Sequence, residues 1–399
     1  MQETGGPEPI TLDSEFIQDP RAVYALLKKE GPVRQVIMAG VPGWLVTSHE
    51  DARALLGDPR LGKDYGSIAG ILPPRVAGVY ATPLAATMLA SDPPDHTRLR
   101  KLVTKAFTAQ ATARLRPVIE QTAEALLGAM AAEETVDLLS AYALPLPIAV
   151  ISAMLGVPAA DQDLFRDWTL SFVSIRSPEV LAEAQRNLSA FLSALIEDKR
   201  ASPGEDLLSR LAQVADEGSQ LSAEELLSMA FLLLTAGFET TVNLIANGVL
   251  TLLRHPDQLA LLQSDPARLP DAVEELLRYE GPVHVATYRF TKEPVHAGGA
   301  RIPPGQIVLI SLLAANRDER RFPDPLRLDI TRPAAGHLAF GHGIHHCLGA
   351  PLARLEGQIA IGKLLSRFPA MTLAAEPGEL RWRSSTLMHG LHSLPVRLS

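Results

Sequence analysis

One cysteine, Cys347, stands in the whole 399-residue chain. No internal disulfide can form, and no site that needs several thiolates can be built. Such a chain suits a reducing cytoplasm, where a lone cysteine is either an inert core residue or a chemical one. Positive charge is also in deficit: 37 Lys and Arg face 45 Asp and Glu, a net charge of −8. That argues against a general nucleic-acid binder, which needs clustered cations for phosphates. Long apolar runs are missing too. The longest, Met229 to Gly237, is far short of the ~20 residues that a bilayer requires. The N-terminus, MQETGGPEPITLDSEF, has no apolar segment that would read as a signal peptide or anchor. There is no internal repeat, low-complexity block or long Ser/Gly linker, so residues 1–399 are expected to form a single domain. A cytoplasmic monomer with no membrane attachment follows.

What is present is a large apolar fraction, 47%, enough for a sizeable core. The 31 prolines are scattered and mostly punctuate helices, as at His255-Pro256 and Gly281-Pro282. Helical periodicity runs through most of Pro94 to Tyr279. Strand signals flank it at Trp44 to Thr47 and Ile302 to Ser311, the second in a stretch whose Gly and Pro residues predict a hairpin turn. From Asp318 to Gly349 the chain is rich in Pro, Gly, Arg and His, a long irregular segment that a compact domain seldom carries without a functional reason. The expected class is mainly α with small peripheral β-sheets.

The irregular segment ends in Phe340-Gly-His-Gly-Ile-His-His-Cys-Leu-Gly349, just before a helical stretch. Glycines at 341, 343 and 349 permit unusual torsions and let a large flat ligand approach the backbone. Exposed amides and a nearby helix start are expected to favour the Cys347 thiolate over the thiol. Read residue by residue, three other accounts stay open or fail. Cys347 could be inert. His342, His345, His346 and Cys347 could bind zinc, although their spacing is tight for a finger. A dinucleotide loop is excluded, because His346 stands where a third glycine is needed.

The segment resembles the haem-binding loop of the cytochrome P450 family, Phe-Gly-x-Gly-x-His-x-Cys-x-Gly. Every fixed position matches: Phe340, Gly341, Gly343, His345, Cys347 and Gly349. The resemblance implies haem b lying between a long central helix and this loop. Cys347 would be the axial ligand to its iron, and His345 would contact a propionate. A thiolate in that position favours O–O cleavage.

Ser222-Ala-Glu-Glu225 forms a capping box, and the helical pattern from there to His255 predicts a helix roughly 50 Å long whose first half is apolar almost all round. Its middle, Ala236-Gly-Phe-Glu-Thr-Thr241, is a poor local helix that hydroxyl back-bonding can bend. Alone, Glu239 would read as part of a structural network. The segment also resembles the family's oxygen-binding groove, Ala-Gly-x-Asp/Glu-Thr. That makes Glu239 and Thr240 the acid–alcohol pair that relays protons to bound dioxygen, with Phe238 standing where many relatives have His.

Glu275 and Arg278 match the family's Glu-x-x-Arg motif, and Arg327 matches the third member of that ion network. All three are expected to brace the irregular segment. The stretch Asp92 to Arg100 implies propionate contacts from His96 and Arg100, and Arg289 fits a third. Arg98, Arg100, Lys101, Lys105 and Arg354 form a basic set that reads as a solvated face, or as the docking face for an acidic ferredoxin.

The four segments occur in family order, with most likeness to the soluble actinobacterial enzymes of secondary metabolism. The implied reaction inserts one atom of O2 into a C–H or C=C bond of a bulky apolar substrate of the macrolide, terpenoid or steroid class. Electrons would come from NAD(P)H through ferredoxin reductase and ferredoxin. The substrate pocket is expected from the loop before Ser91, part of Asp161 to Leu195, Val285-Ala286 and Leu387-Met388. A peroxide-driven peroxygenase is disfavoured by Glu239 and Thr240, and a haem-free partner protein of the same fold by the intact cysteine loop.

Overall fold

A computed structural model describes residues 8–38, 40–64, 87–173, 178–216, 221–376 and 378–399. Its organising element is the helix Ala223–Leu253. The capping box forms as the sequence requires: Glu225 N–H donates to Ser222 Oγ at 3.0 Å, and Ser222 N–H donates to Glu225 Oε2 at 2.8 Å. The 31 residues span about 46 Å at the usual rise per residue. Arg254 caps the helix, and Pro256 opens the next one.

By length and composition alone this helix could cross a membrane, but 56% of its most apolar stretch is buried by protein. Helices Pro145–Leu155, Leu269–Glu280 and Ala350–Arg367 pack around it. Ile245, Val249 and Leu252 are completely buried there, each contributing about 1.5–3 kcal/mol of apolar transfer energy. Gly237 permits one close approach, since a Cβ there would lie 3.1 Å from Ile151 Cδ1 on Pro145–Leu155.

The sheets are small and lie to one side. A six-stranded sheet runs in the order Ile10–Leu12, Val33–Met38, Val41–Val46, Ile307–Ile310, Arg289–Thr291, Leu61–Gly62. The predicted hairpin pairs Val295–Ala297 with Ala300–Ile302. The mainly α class is therefore the observed one, and Asp318 to Gly349 holds only one short helical turn, Gly343–His345.

That irregular segment hangs on a buried ion network. Arg278 donates Nε to Glu275 Oε2 at 2.7 Å and Nη2 to Oε1 at 2.8 Å, both side chains being wholly buried. Arg278 Nη1 also donates to the carbonyls of Asn316 (2.9 Å) and Pro325 (3.0 Å). The third member is Arg332, with Nε 3.3 Å from Glu275 Oε1, and not the expected Arg327. Arg327 is exposed and supplies only its carbonyl to Arg278 and Arg332. The segment folds back so that the side chain five residues later faces the buried carboxylate.

Candidate active site

The cysteine loop is shaped by two left-handed glycines, Gly341 (φ 71°) and Gly343 (φ 75°). Cys347 N–H donates to Phe340 O at 2.9 Å, closing the loop on itself. At Gly343 a Cβ would sit 2.7 Å from Leu56 O and 2.9 Å from Gly57 Cα, so only glycine lets the loop lie against that backbone. Arg354 clamps the loop from the following helix. It packs over the Phe340 ring at 4.5 Å and pairs with Glu274 at 2.6 and 2.8 Å, and together with His337 it holds the Glu274 carboxyl down at about 2 against the cost of burial.

Cys347 faces the cavity, and the amides of Gly349 and Ala350 bond its sulfur. Burial nevertheless pushes the thiol above its ordinary value, outweighing those amides and the charges of Arg100 and Arg354. The loop amides thus act in the expected direction, lowering the thiol, but the surrounding protein outweighs them. A coordinating metal ion supplies the missing positive charge and deprotonates such a thiol. Zinc held by the neighbouring histidines gains no support, since among the described residues no three His, Cys, Asp or Glu side chains are grouped to hold a metal ion.

Opposite the loop, the central helix presents Ala236, Gly237, Glu239, Thr240 and Thr241 to the same cavity. The helix continues unbroken through this stretch. Thr240 Oγ donates to Ala236 O (2.9 Å) and Thr241 Oγ to Gly237 O (3.1 Å), the back-bonding that polar residues in an apolar helix use. Phe238 turns away into the core, 1% exposed, so it packs and does not line the groove. Burial raises the Glu239 carboxyl above its ordinary value, and Arg383, 3.2 Å away, opposes that rise. Arg383 also donates to Asn243 Oδ1 at 2.9 Å.

At a third side lie the predicted cations. His96 is 2% exposed, with both ring nitrogens buried and without hydrogen-bond partners among the described residues, and its ring stands 4.3 Å from that of His345. Burial, with Lys63, His96, Arg289 and Arg100 around it, pushes His345 down to about 2. Arg100 Nη2 donates to His346 O (2.8 Å), tying the helix Asp95–Ala106 to the cysteine loop. Arg289 is buried and donates to Thr287 O at 3.0 Å.

All seven sequence-predicted site residues, Glu239, Thr240, His96, Arg100, Arg289, His345 and Cys347, line one cavity of about 500 Å³. The pocket expectations divide. Met88, Leu89, Ala286, Leu387 and Met388 line it as expected. Val285 does not: it bridges to Ser311, and the alternation of side chains sends it into the core with Phe16 and Leu309 while Ala286 faces the cavity. None of the described residues of 161–195 lines it, and 174–177 and 65–86 lie outside the described residues. Among the described residues, Pro147, Val150, Ile151 and Met154 line it instead, on a helix that the sequence marked only by its periodicity. Also missed were Arg383, Lys63 and the fully buried Glu356, whose carboxyl burial raises well above the ordinary range.

The Cytochrome P450 family model matches residues 147–388. The chain is 50% identical over 396 residues to Cytochrome P450 107B1 of Saccharopolyspora erythraea, covering 98% of each.

The chain belongs to the cytochrome P450 family.

It is also 50% identical over 390 residues to the monooxygenase PikC of Streptomyces venezuelae, covering 97% of this chain and 92% of that one. It is 44% identical over 403 residues to the 6-deoxyerythronolide B hydroxylase of S. erythraea, covering 97% and 98%. The solved structure of the tirandamycin C-bound P450 monooxygenase TamI superposes with a TM-score of 0.91 at 49% identity, covering 98% of this chain and all of that one. This chain is therefore a P450 monooxygenase, and the family implies haem. The residues present fit it: a sulfur faces the cavity on one side, the acid–alcohol pair on another, and a cationic edge with orphaned donors suits two carboxylates.

Proposed function

We propose that this P450 inserts one atom of dioxygen into a C–H or C=C bond of a bulky, largely apolar substrate of the polyketide or macrolide class. The carrying observation is the single cavity in which the thiol, the acid–alcohol pair and the cationic edge meet beneath apolar walls from Leu232, Leu233, Val150 and Met154. The natural-product names of its relatives support the substrate class.

In this reading Cys347 would hold the iron of haem b, and His96, Arg100, Arg289 and His345 would hold its propionates. When bound, the haem supplies the binding and reduction of dioxygen. Thr240 spends its hydroxyl proton on Ala236 O, which leaves its oxygen lone pairs free to accept a proton donor in the groove. Burial favours the protonated Glu239 carboxyl and Arg383 favours the carboxylate, so the pair suits a group that takes up and gives back a proton. The apolar walls exclude other water.

Electrons are read as coming from NAD(P)H through a ferredoxin reductase and a ferredoxin. Lys101 and Lys105 stand exposed on the helix whose Arg100 touches the cysteine loop, a face suited to an acidic partner. The protein is read as a cytoplasmic monomer with one domain over 1–399. The test is the reduced, carbon-monoxide-bound absorption spectrum of wild type beside Cys347→Ala. A red-shifted Soret band in wild type alone is expected. Its absence from haem-replete wild type would overturn the thiolate assignment.

A further inference from the structure

Lys63 is the most deeply buried lysine described, 1% exposed; burial and the Arg289 charge hold its amine well below the ordinary lysine value, and no carboxylate lies in bonding distance of it among the described residues. Asp92 is nearby, but both its oxygens accept from the Lys63 backbone N–H, at 3.1 and 3.2 Å, and one faces Lys292. Leu61 pairs with Thr291 and Gly62 with Phe290 in antiparallel register. Continuing that register brings Lys63 level with Arg289, itself buried. Like charges opposed across a strand pair repel unless an anion lies between or beside them. Lys63 Nζ donates to Thr287 Oγ1, and Arg289 Nη1 donates to Thr287 O at 3.0 Å. Two basic side chains thus grip one threonine, and that threonine lines the cavity beside Arg289.

The consequence lies in the hydroxyl. A threonine oxygen that accepts from the Lys63 amine keeps its own proton to donate, and an anion placed beside Lys63 and Arg289 would favour the charged lysine and strengthen that polarisation. We propose that Thr287 is a further donor to the haem carboxylate beside Arg289, with Lys63 as the buried residue that orients and polarises it. Lys63 itself does not line the cavity, so it acts through Thr287. The proposal rests on the haem reading above, which the carbon-monoxide spectrum tests separately. It adds one donor, Thr287, to the predicted set of His96, Arg100, Arg289 and His345.

The experiment measures transfer of haem from the holoenzyme to apomyoglobin at neutral pH, together with the ferric–ferrous reduction potential. Thr287→Val and Lys63→Met are each expected to release haem roughly tenfold to a hundredfold faster, the worth of one charge-assisted hydrogen bond. Both should lower the potential, because positive charge or a donor is withdrawn from beside a carboxylate. Thr287→Ser should hold the wild-type rate, and the double variant should lose haem no faster than the faster single one, since the two groups act in series. Wild-type haem release in Thr287→Val would overturn the proposal, as would strictly additive effects in the double variant. A change in substrate affinity without a change in haem release would assign Thr287 to the substrate instead. If Lys63→Met fails to fold, the Thr287 pair alone decides the donor, and Lys63→Arg, expected to stay within a few-fold of wild type, decides the role of the charge. A retained red-shifted carbon-monoxide band alongside unchanged haem release would leave the haem-thiolate reading intact and remove only this donor.

Discussion

Replacing Arg278 by Met is expected to release the haem before it unfolds the protein. Arg278 and Glu275 are wholly buried and bonded twice, and breaking such a pair by removing one partner costs about 3–5 kcal/mol. Here Arg332 at 3.3 Å and the Asp329 N–H at 3.1 Å still serve Glu275, which puts the electrostatic cost near the lower end, ~3 kcal/mol. The carbonyls of Asn316 and Pro325 also lose their donor, adding about 1 kcal/mol between them after relaxation. A total of about 4 kcal/mol is a large share of the ~5–15 kcal/mol that typically stabilises a folded protein. The loss is not spread evenly, because the freed groups belong to the segment that leads into the cysteine loop. Urea titration followed by Soret absorbance and by far-ultraviolet circular dichroism should therefore show two transitions in Arg278→Met, the Soret change at lower urea. The double replacement Glu275→Met with Arg278→Met should not recover wild-type stability, since it strands Arg332 and the Asp329 N–H. A single variant within about 1 kcal/mol of wild type, or a fully restored double variant, would refute the assignment of this network as the segment's support.

Arg383→Met removes the charge that opposes the burial-driven rise of Glu239, so that carboxyl moves further up. A carboxyl raised in the folded state is at no disadvantage below its unfolded value and loses stability as pH climbs through its folded value. The stability gap between wild type and Arg383→Met should therefore widen as pH climbs from the wild-type value of Glu239 through its higher value in the variant, and a gap independent of pH in urea titrations would count against the pair. Gly343→Ala demands φ near 75° from an alanine and drives its Cβ into Leu56 O and Gly57 Cα. A cost of about 1–3 kcal/mol confined to the loop should lower the haem-to-protein absorbance ratio while the helical melting midpoint moves little, and an unchanged ratio would show that the loop can yield.

The parts of this P450 that could be read before folding are those whose physics is local in sequence. The capping box at Ser222 and Glu225 and the left-handed glycines 341 and 343 need only near neighbours, and both form as expected, whereas Gly349, at φ −78°, takes an ordinary torsion. The seven site residues came from motifs, and each motif is likewise a local string. What escaped were the partners that tertiary folding selects. Arg332 takes the place expected for Arg327 because a turn decides which side chain faces Glu275. Val285 and Ala286 divide between core and cavity by a one-residue phase that no composition reveals. Arg383 and Lys63 reach Glu239 and Thr287 from positions 144 and 224 residues away, as the numbering of each pair gives, with no spacing rule to announce them. Cys347 shows the same limit in energetic form. Its amides and helix start were legible and do lower the thiol, yet the protein packed around the loop outweighs them even though the residue is exposed to the cavity. Burial is a property of the whole fold, so the charge state of a buried group is decided only when every wall of its cavity is in place.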